Sequence, residues 1–215
     1  MASLTVELHA TTPETYKIRK VLDAVRDGAV VLYPTDTGFA LGCCLSKKQA
    51  ITRVRQIRRL PDHKHLSFIC DSLTNISEFA KVSNHAYKVI RRLIPGPFTF
   101  ILPATKAVPH YALDPKRKTA GIRVPDSTIA LTLLRELGSP LISITAKHDD
   151  QDFDSPEALV SALSPLVDVV ITPHEYSFVG ESTVIDMTQE EFHLVRRGAR
   201  LDEVLEHIPQ LVEED

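Results

Sequence analysis

The strongest constraint in this chain is a five-residue apolar run, residues 29–33 (Ala-Val-Val-Leu-Tyr), placed directly after a segment of helical period. An unbroken apolar run that short suits a strand covered on both faces. The segment before it repeats Ile18, Val21, Leu22 and Val25 on one helical face, with Gly28 behind to end the helix. Thr11 or Thr12 is the expected cap, with Pro13 and Glu14 in the first turn. The same pairing of helix and buried strand recurs along the chain. After a cap at Ser46, Ile51, Val54 and Ile57 form one helix face, and Arg53, Arg55, Arg58 and Arg59 the other. Strands are expected at residues 66–70, 98–102, 121–124, 141–145 and 167–171. Helices are expected at 83–93, 127–137, from Ser155 onward, and at 201–207; residues 183–187 and 192–195 read as a hairpin. The pattern predicts an α/β fold, one domain over residues 1–215, with helices on a mostly buried sheet and an acidic C-terminal tail. A hydrophobic fraction of 43% is enough to fill such a core.

No apolar run reaches the roughly 18 residues of a membrane span. The N-terminus lacks the basic-then-apolar order of a signal peptide. Cys43, Cys44 and Cys70 make a poor disulfide framework and hold no C-x-x-C pair, so a reducing cytoplasm is expected. Net charge is −3, but residues 47–123 carry 16 Lys and Arg against 4 Asp and Glu, and the remainder carries 9 against 24. That asymmetry predicts a basic central surface suited to phosphates or nucleic acid, with solvated helix faces as the plainer alternative.

Ligands of α/β sheets gather at the carboxyl ends of strands. Four such ends are polar here. Pro34-Thr35-Asp36-Thr37-Gly38 sets two hydroxyls and a carboxylate on a tight turn, which could equally serve only its own backbone. Arg123, in an otherwise apolar strand, needs an anion, either a structural carboxylate or a ligand phosphate. Strand alternation puts Ser143, Thr145 and Lys147 on one face. The hairpin brings Ser182-Thr183 beside Arg196-Arg197-Gly198. Neither of the common glycine-rich phosphate loops is present, and no Ser or Cys has a recognisable nucleophile context. Asp62, His63 and His65, and the acidic loop of His148, Asp149, Asp150, Asp152 and Asp154, read as ordinary loops before they read as metal sites. Hydroxyls and arginines without a nucleophile suit positioning and charge stabilisation of phosphate.

Tyr33-Pro34-Thr35-Asp36-Thr37 with Leu41-Gly42-Cys43 resembles the opening block of the YrdC/YciO family, which includes the threonylcarbamoyl-AMP synthases. The resemblance continues through Pro95-Gly96-Pro97-Phe98-Thr99, Gly121-Ile122-Arg123-Val124-Pro125-Asp126, Ser182-Thr183-Val184-Ile185-Asp186 and Arg196-Arg197-Gly198-Ala199. These blocks span about residues 13–200 in family order. The resemblance implies a twisted mixed sheet around a large basic cavity. It also implies synthesis of threonylcarbamoyl-adenylate from L-threonine, bicarbonate and ATP with Mg²⁺, with release of pyrophosphate; the adenylate feeds tRNA threonylcarbamoyladenosine modification, with a tRNA-modifying transferase complex as the implied partner. By motif match, Thr35, Arg58 and Arg123 would be catalytic, and Thr37, Ser143, Thr145, Lys147, Ser182 and Arg196 would line the substrate and nucleotide pocket. Family members are described as binding double-stranded RNA, for which Arg53, Arg55, Lys116, Arg117 and Lys118 are the candidate contacts.

Three departures from the pattern stand out. Gly38-Phe39-Ala40 replaces Val-Tyr-Gly, Leu60 stands where the family has a second phosphate-facing cation, and Lys147 replaces an Asn. The first two, with Lys116-Arg117-Lys118-Thr119, resemble the YciO branch. Lys147 is a candidate to restore the charge missing at Leu60. Two alternatives stand beside the synthase: an RNA-binding protein that kept only the fold, and an ATP-using enzyme with another acceptor.

Overall fold

The computed structural model describes residues 3–60, 66–113, 116–147 and 153–213. In chain order the elements are β1 (Leu4–Leu8), α1 (Thr15–Asp27), β2 (Val31–Thr35), β3 (Gly38–Cys44), α2 (Lys48–Ile57) and β4 (Ser67–Ile69). There follow α3 (Leu73–Phe79), α4 (Asn84–Leu93), β5 (Phe98–Pro103), β6 (Thr119–Arg123), α5 (Thr128–Leu137) and β7 (Leu141–Thr145). The last are α6 (Pro156–Leu163), β8 (Val169–Pro173), β9 (Thr183–Asp186), β10 (His193–Arg196), α7 (Leu201–His207) and β11 (Val212–Glu213).

Local chemistry sets several of these boundaries. The Ser83, Ser127 and Ser155 hydroxyls each accept the backbone N–H three residues on, at 3.1, 3.3 and 3.1 Å, and so cap α4, α5 and α6. Two expected caps are corrected. The Thr11 and Thr12 hydroxyls lie 3.2 and 2.9 Å from His9 Nδ1, and α1 starts later, behind Glu14. Ser46 is displaced as a cap by Lys47, whose side chain makes no capping bond.

All strands join one mixed sheet in the order β1-β8-β2-β3-β7-β4-β6-β5-β9-β10-β11. Its register separates the two faces. Cys43, Ile142, Phe68, Ile122, Phe100 and Ile185 lie in one cross-strand row and are all fully buried. They face Ile51 and Val54 of α2, Ile76 of α3, Ile90 of α4 and Val204 of α7. Burying each Ile or Phe side chain of that row contributes about 1.5–3 kcal/mol, which holds the register in place. On the other face α1 and α5 pack Ile18, Val21, Leu22, Val25, Leu133 and Leu134 against Val31, Tyr33, Leu141 and Ile171. Among the described residues this second core takes nothing from β5, β6 or β9. Those strands therefore present an open face on that side. No described helix is long and apolar enough to cross a membrane.

Candidate functional site

The open face is polar because of its register. Ser143 stands opposite Gly42 and Ser67, Ser67 opposite Gly121, and Gly121 opposite Ile101. Cross-strand partners point to the same side of a sheet, so this row of small and polar residues backs directly onto the fully buried row described above. Ile69 and Arg123 form a neighbouring pair, as do Thr99 and Val184. Together with residues from the surrounding loops they enclose a cavity of about 370 Å³. That lies at the lower end of the size range of small-molecule pockets. Among the described residues its lining includes Arg58, Arg117, Arg123, Lys147 and Arg196, with Glu181 as the one carboxylate.

The turn after β2 serves both of the roles the sequence allows. Thr35 Oγ1 donates to Gly38 O at 2.7 Å and accepts from Thr37 N at 3.2 Å, a local hydroxyl turn. Thr35 and Thr37 also line the cavity. Arg123 is anchored to the same turn. Its Nη1 donates to Thr37 Oγ1 at 2.6 Å, its Nε to Gly96 O at 3.2 Å, and its Nη2 pairs with Asp36. The anion that Arg123 requires is thus a structural carboxylate, and both side chains are buried. Burial pushes the Arg123 guanidinium below its ordinary value, against the opposing pull of Asp36, but an arginine still stays charged. Asp36 Oδ2 is buried and has no hydrogen-bond partner among the described residues. The Pro-Gly-Pro block meets this strand because Gly96 N donates to Val124 O at 2.9 Å.

At the centre, Tyr33 donates its hydroxyl to Ser143 Oγ at 2.8 Å. Burial pushes this phenol far above its ordinary value, so it remains a protonated donor that orients Ser143. Gly42 makes room for the ring, since a Cβ there would lie 2.7 Å from both Tyr33 Cε1 and Ile142 O. Arg58, buried at the end of α2, donates from Nη1 to Lys147 O at 3.2 Å.

The last two sequence blocks meet at the mouth. Arg196 donates to Ser182 O from Nε at 3.0 Å and from Nη2 at 2.8 Å, and Nη2 also donates to Ser182 Oγ at 2.8 Å. Ser182 and Thr99 share a hydroxyl contact of 2.9 Å. Gly198 must be glycine, because an added Cβ would come within 2.4 Å of the Ser182 carbonyl carbon.

Thr35, Thr37, Arg58, Arg123, Ser143, Thr145, Lys147, Ser182 and Arg196 therefore line one cavity. Leu60 lines it as well, as an apolar side chain where the resemblance led one to look for a cation. The five residues expected to meet RNA separate. Arg53 is paired with Asp168 at 2.5 Å and donates to Leu166 O at 2.9 Å, which ties α2 to the chain entering β8. Arg117 lines the cavity, paired at 2.5 Å with the nearly buried Asp186. Lys116 and Lys118 are exposed and Arg55 is half-buried.

Ser67, Thr99, Thr119 and Glu181 also line the cavity and were not expected from the sequence. Thr99 carried a readable signal, as the single polar residue in Phe98-Thr99-Phe100-Ile101-Leu102. The described residues hold no group of three or more His, Cys, Asp or Glu able to bind a metal. Glu181 sits between two cations, so the described lining offers no ligand set for Mg²⁺ and no step is assigned to that ion. Asp62, His63, His65, His148, Asp149, Asp150 and Asp152 lie outside the described residues, and Asp154 is exposed. The three cysteines are buried, with burial pushing the Cys43 thiol up to about 12 and Cys70 in the same direction.

Comparison with known proteins matches residues 23–198 to the Sua5_yciO_yrdC family, described as "Telomere recombination". YciO of Escherichia coli K12 is 37% identical over 195 residues, covering 89% of this chain and 93% of its own length. The E. coli YciO crystal structure superposes with a TM-score of 0.87 at 36% identity, over 94% of this chain and 100% of that one. A threonylcarbamoyl-AMP synthase of Vibrio vulnificus is 28% identical over 189 residues, covering 84% of this chain and 98% of its own. Pyrococcus abyssi Sua5, complexed with L-threonine, superposes with a TM-score of 0.89 at 26% identity, over 99% of this chain and 63% of that one.

Proposed function

The chain belongs to the Sua5/YciO/YrdC family, and on that premise we propose that it is an L-threonylcarbamoyladenylate synthase-like enzyme acting in the tRNA threonylcarbamoyladenosine pathway. Its substrates are L-threonine, bicarbonate and ATP, and it releases pyrophosphate. The observation that carries this reading is a single cavity with a hydroxyl turn at one side and Arg58, Lys147 and Arg196 on its lining. The relative complexed with L-threonine supports an amino-acid substrate.

In the proposed reaction the threonine amine bonds to the carbon of bicarbonate and water leaves, giving a carbamate. A carbamate oxygen forms a new bond to the α-phosphorus of ATP as the bond to pyrophosphate breaks. No enzyme nucleophile is required, in keeping with the buried Cys43 and Cys70 thiols, which burial holds protonated. Catalysis then consists of orientation and charge stabilisation. Thr35 and Thr37 receive the amino-acid end, and Arg123 acts as a positioning residue through its bonds to that turn. Ser143, Thr145 and Ser182 supply hydroxyls, and Arg58, Lys147 and Arg196 meet the charge that grows on the phosphates. Arg117 and Lys147 together offer cations where Leu60 has none.

Mass spectrometry after incubation with ATP, Mg²⁺, L-threonine and bicarbonate tests this. The expected product is threonylcarbamoyl-adenylate, dependent on both threonine and bicarbonate and depleted in Thr35→Ala. ATP turnover indifferent to threonine, and unchanged in Thr35→Ala, would sink the reading. The basic run of residues 47–123 supports tRNA or double-stranded RNA as a further ligand, with Arg55, Lys116 and Lys118 as contacts. That part predicts RNA affinity that falls steeply with salt, less steeply as each cation is removed.

A further inference from the structure

One carboxylate at the mouth of the cavity has no part in the reaction just described. Glu181 Oε2 lies 3.3 Å from Arg196 Nη1, and Oε1 lies 3.6 Å from Lys147 Nζ. The backbone around it is pinned. Its carbonyl accepts from Ala199 N at 2.8 Å, and Ser182 bridges Ala199 in parallel. The close approach of Gly198 leaves less than a methyl group of space, since a Cβ there would be 2.5 Å from Glu181 O. The side chain, by contrast, is 49% exposed. It can turn into water while the strand and the hairpin stay in place. A carboxylate and a phosphate oxygen make the same charge-assisted bonds to ammonium and guanidinium groups. Glu181 thus uses the donors that a phosphate entering this end would use.

We propose that Glu181 is a resident counter-ion of the cavity, which the phosphates of an incoming nucleotide displace from Lys147 and Arg196. This rests on the reading that ATP binds in the cavity, and it adds a regulating element to that site. Without ligand, the carboxylate keeps two neighbouring cations from repelling each other. With ligand, it moves to solvent, and its return competes with bound pyrophosphate and favours release.

Isothermal titration of wild type and Glu181→Gln with ATP, inorganic pyrophosphate and adenosine tests this, repeated in a Lys147→Ala background. Glu181→Gln is expected to bind ATP and pyrophosphate about tenfold more tightly, the order expected for two half-exposed ion pairs. Adenosine, which lacks phosphate, should not change. The gain should shrink to about threefold or less in the Lys147→Ala background, because one of the two displaced pairs is already absent. An equal gain in both backgrounds marks Glu181 as a remote charge and overturns the proposal. ATP binding of equal strength in wild type and Glu181→Gln also overturns it, while leaving the nucleotide reading intact. ATP binding by neither protein overturns both.

Discussion

The two ends of the cavity handle charge in opposite ways. At the deep end Arg123 and Asp36 are both nearly buried, and the arginine bonds Thr37 and the Gly96 carbonyl as well. At the mouth Lys147, Arg196 and Glu181 are 31%, 41% and 49% exposed, with ion-pair distances of 3.6 and 3.3 Å. A charge taken out of water needs a fixed partner, and once fixed it works as architecture. A charge left half in water holds its partner weakly and can exchange it. Two arginines of one motif set, Arg123 and Arg196, therefore do different work: the first shapes the turn that receives a ligand, and the second is available to the ligand itself.

The sharpest way to break this contrast is to remove each arginine in turn. Arg123→Ala strands Asp36 as an unpaired buried carboxylate and should lower unfolding free energy in urea by about 3–5 kcal/mol. A loss below about 1 kcal/mol would mean that the deep end is not structural. Arg196→Ala should reduce threonine-dependent pyrophosphate release on the order of a hundredfold, as for loss of one charge-stabilising donor. Its urea midpoint should move less than that of Arg123→Ala, because the carboxylate it leaves, Glu181, is half in water. A large stability loss with unaltered kinetics would reverse the roles of the two ends.

The smallest expected effect concerns Asp186, which holds Arg117 to the cavity wall. Burial works to raise its carboxyl, but hydrogen bonds from Thr188 and Arg117 outweigh it, and the group lies below its ordinary value of 3.8. A depressed carboxyl binds fewer protons folded than unfolded, so its contribution is complete above the ordinary value and declines as pH falls below it. Asp186→Asn should therefore flatten the acid limb of a stability-versus-pH curve below about pH 4 and leave its slope near neutrality unchanged. An acid limb identical to wild type would show that the pair contributes nothing to folding.

What the sequence made legible follows from the range of the forces involved. The helices behind Ser83, Ser127 and Ser155 were readable because helical signals are local, and in the structure each of these serines caps the N–H three residues on. β7 was readable as a compact apolar run, and the hairpin of β9 and β10 from its two alternating segments. β1 and β3 were not anticipated. β1 buries only Val6 and Leu8, and its pairing partner lies in β8, far along the chain. β3 contains Ala40, Gly42 and two cysteines, a weak strand composition that makes sense only once the Tyr33 ring is seen to need Gly42. The motif residues of the cavity could be gathered by resemblance. Which cation faces the cavity could not. Arg117 and Lys118 are neighbours in sequence and both exposed, yet Arg117 lines the cavity and Lys118 does not. Charge counting has no means of telling them apart. Glu181 was silent for the same reason, since its meaning depends on Lys147, just past the end of β7, and on Arg196, at the end of β10.

The strand order has a consequence in time. β3 pairs with β7 across about a hundred residues, and β5 pairs with β9 across more than eighty. Thr35 and Arg196 line one cavity from nearly opposite ends of the chain. As the polypeptide leaves the ribosome, the turn at Thr35 emerges early but waits for β7 before β3 is covered, and for β9 and β10 before the mouth exists. Until then the lining lacks what Ser182, Val184 and Arg196 supply, and a chain stopped before Arg196 is missing one of the cavity's cations. Synthesis must pass Arg196 before the full lining exists for a ligand to recognise, so a product aborted before that point cannot hold a ligand through the complete pocket.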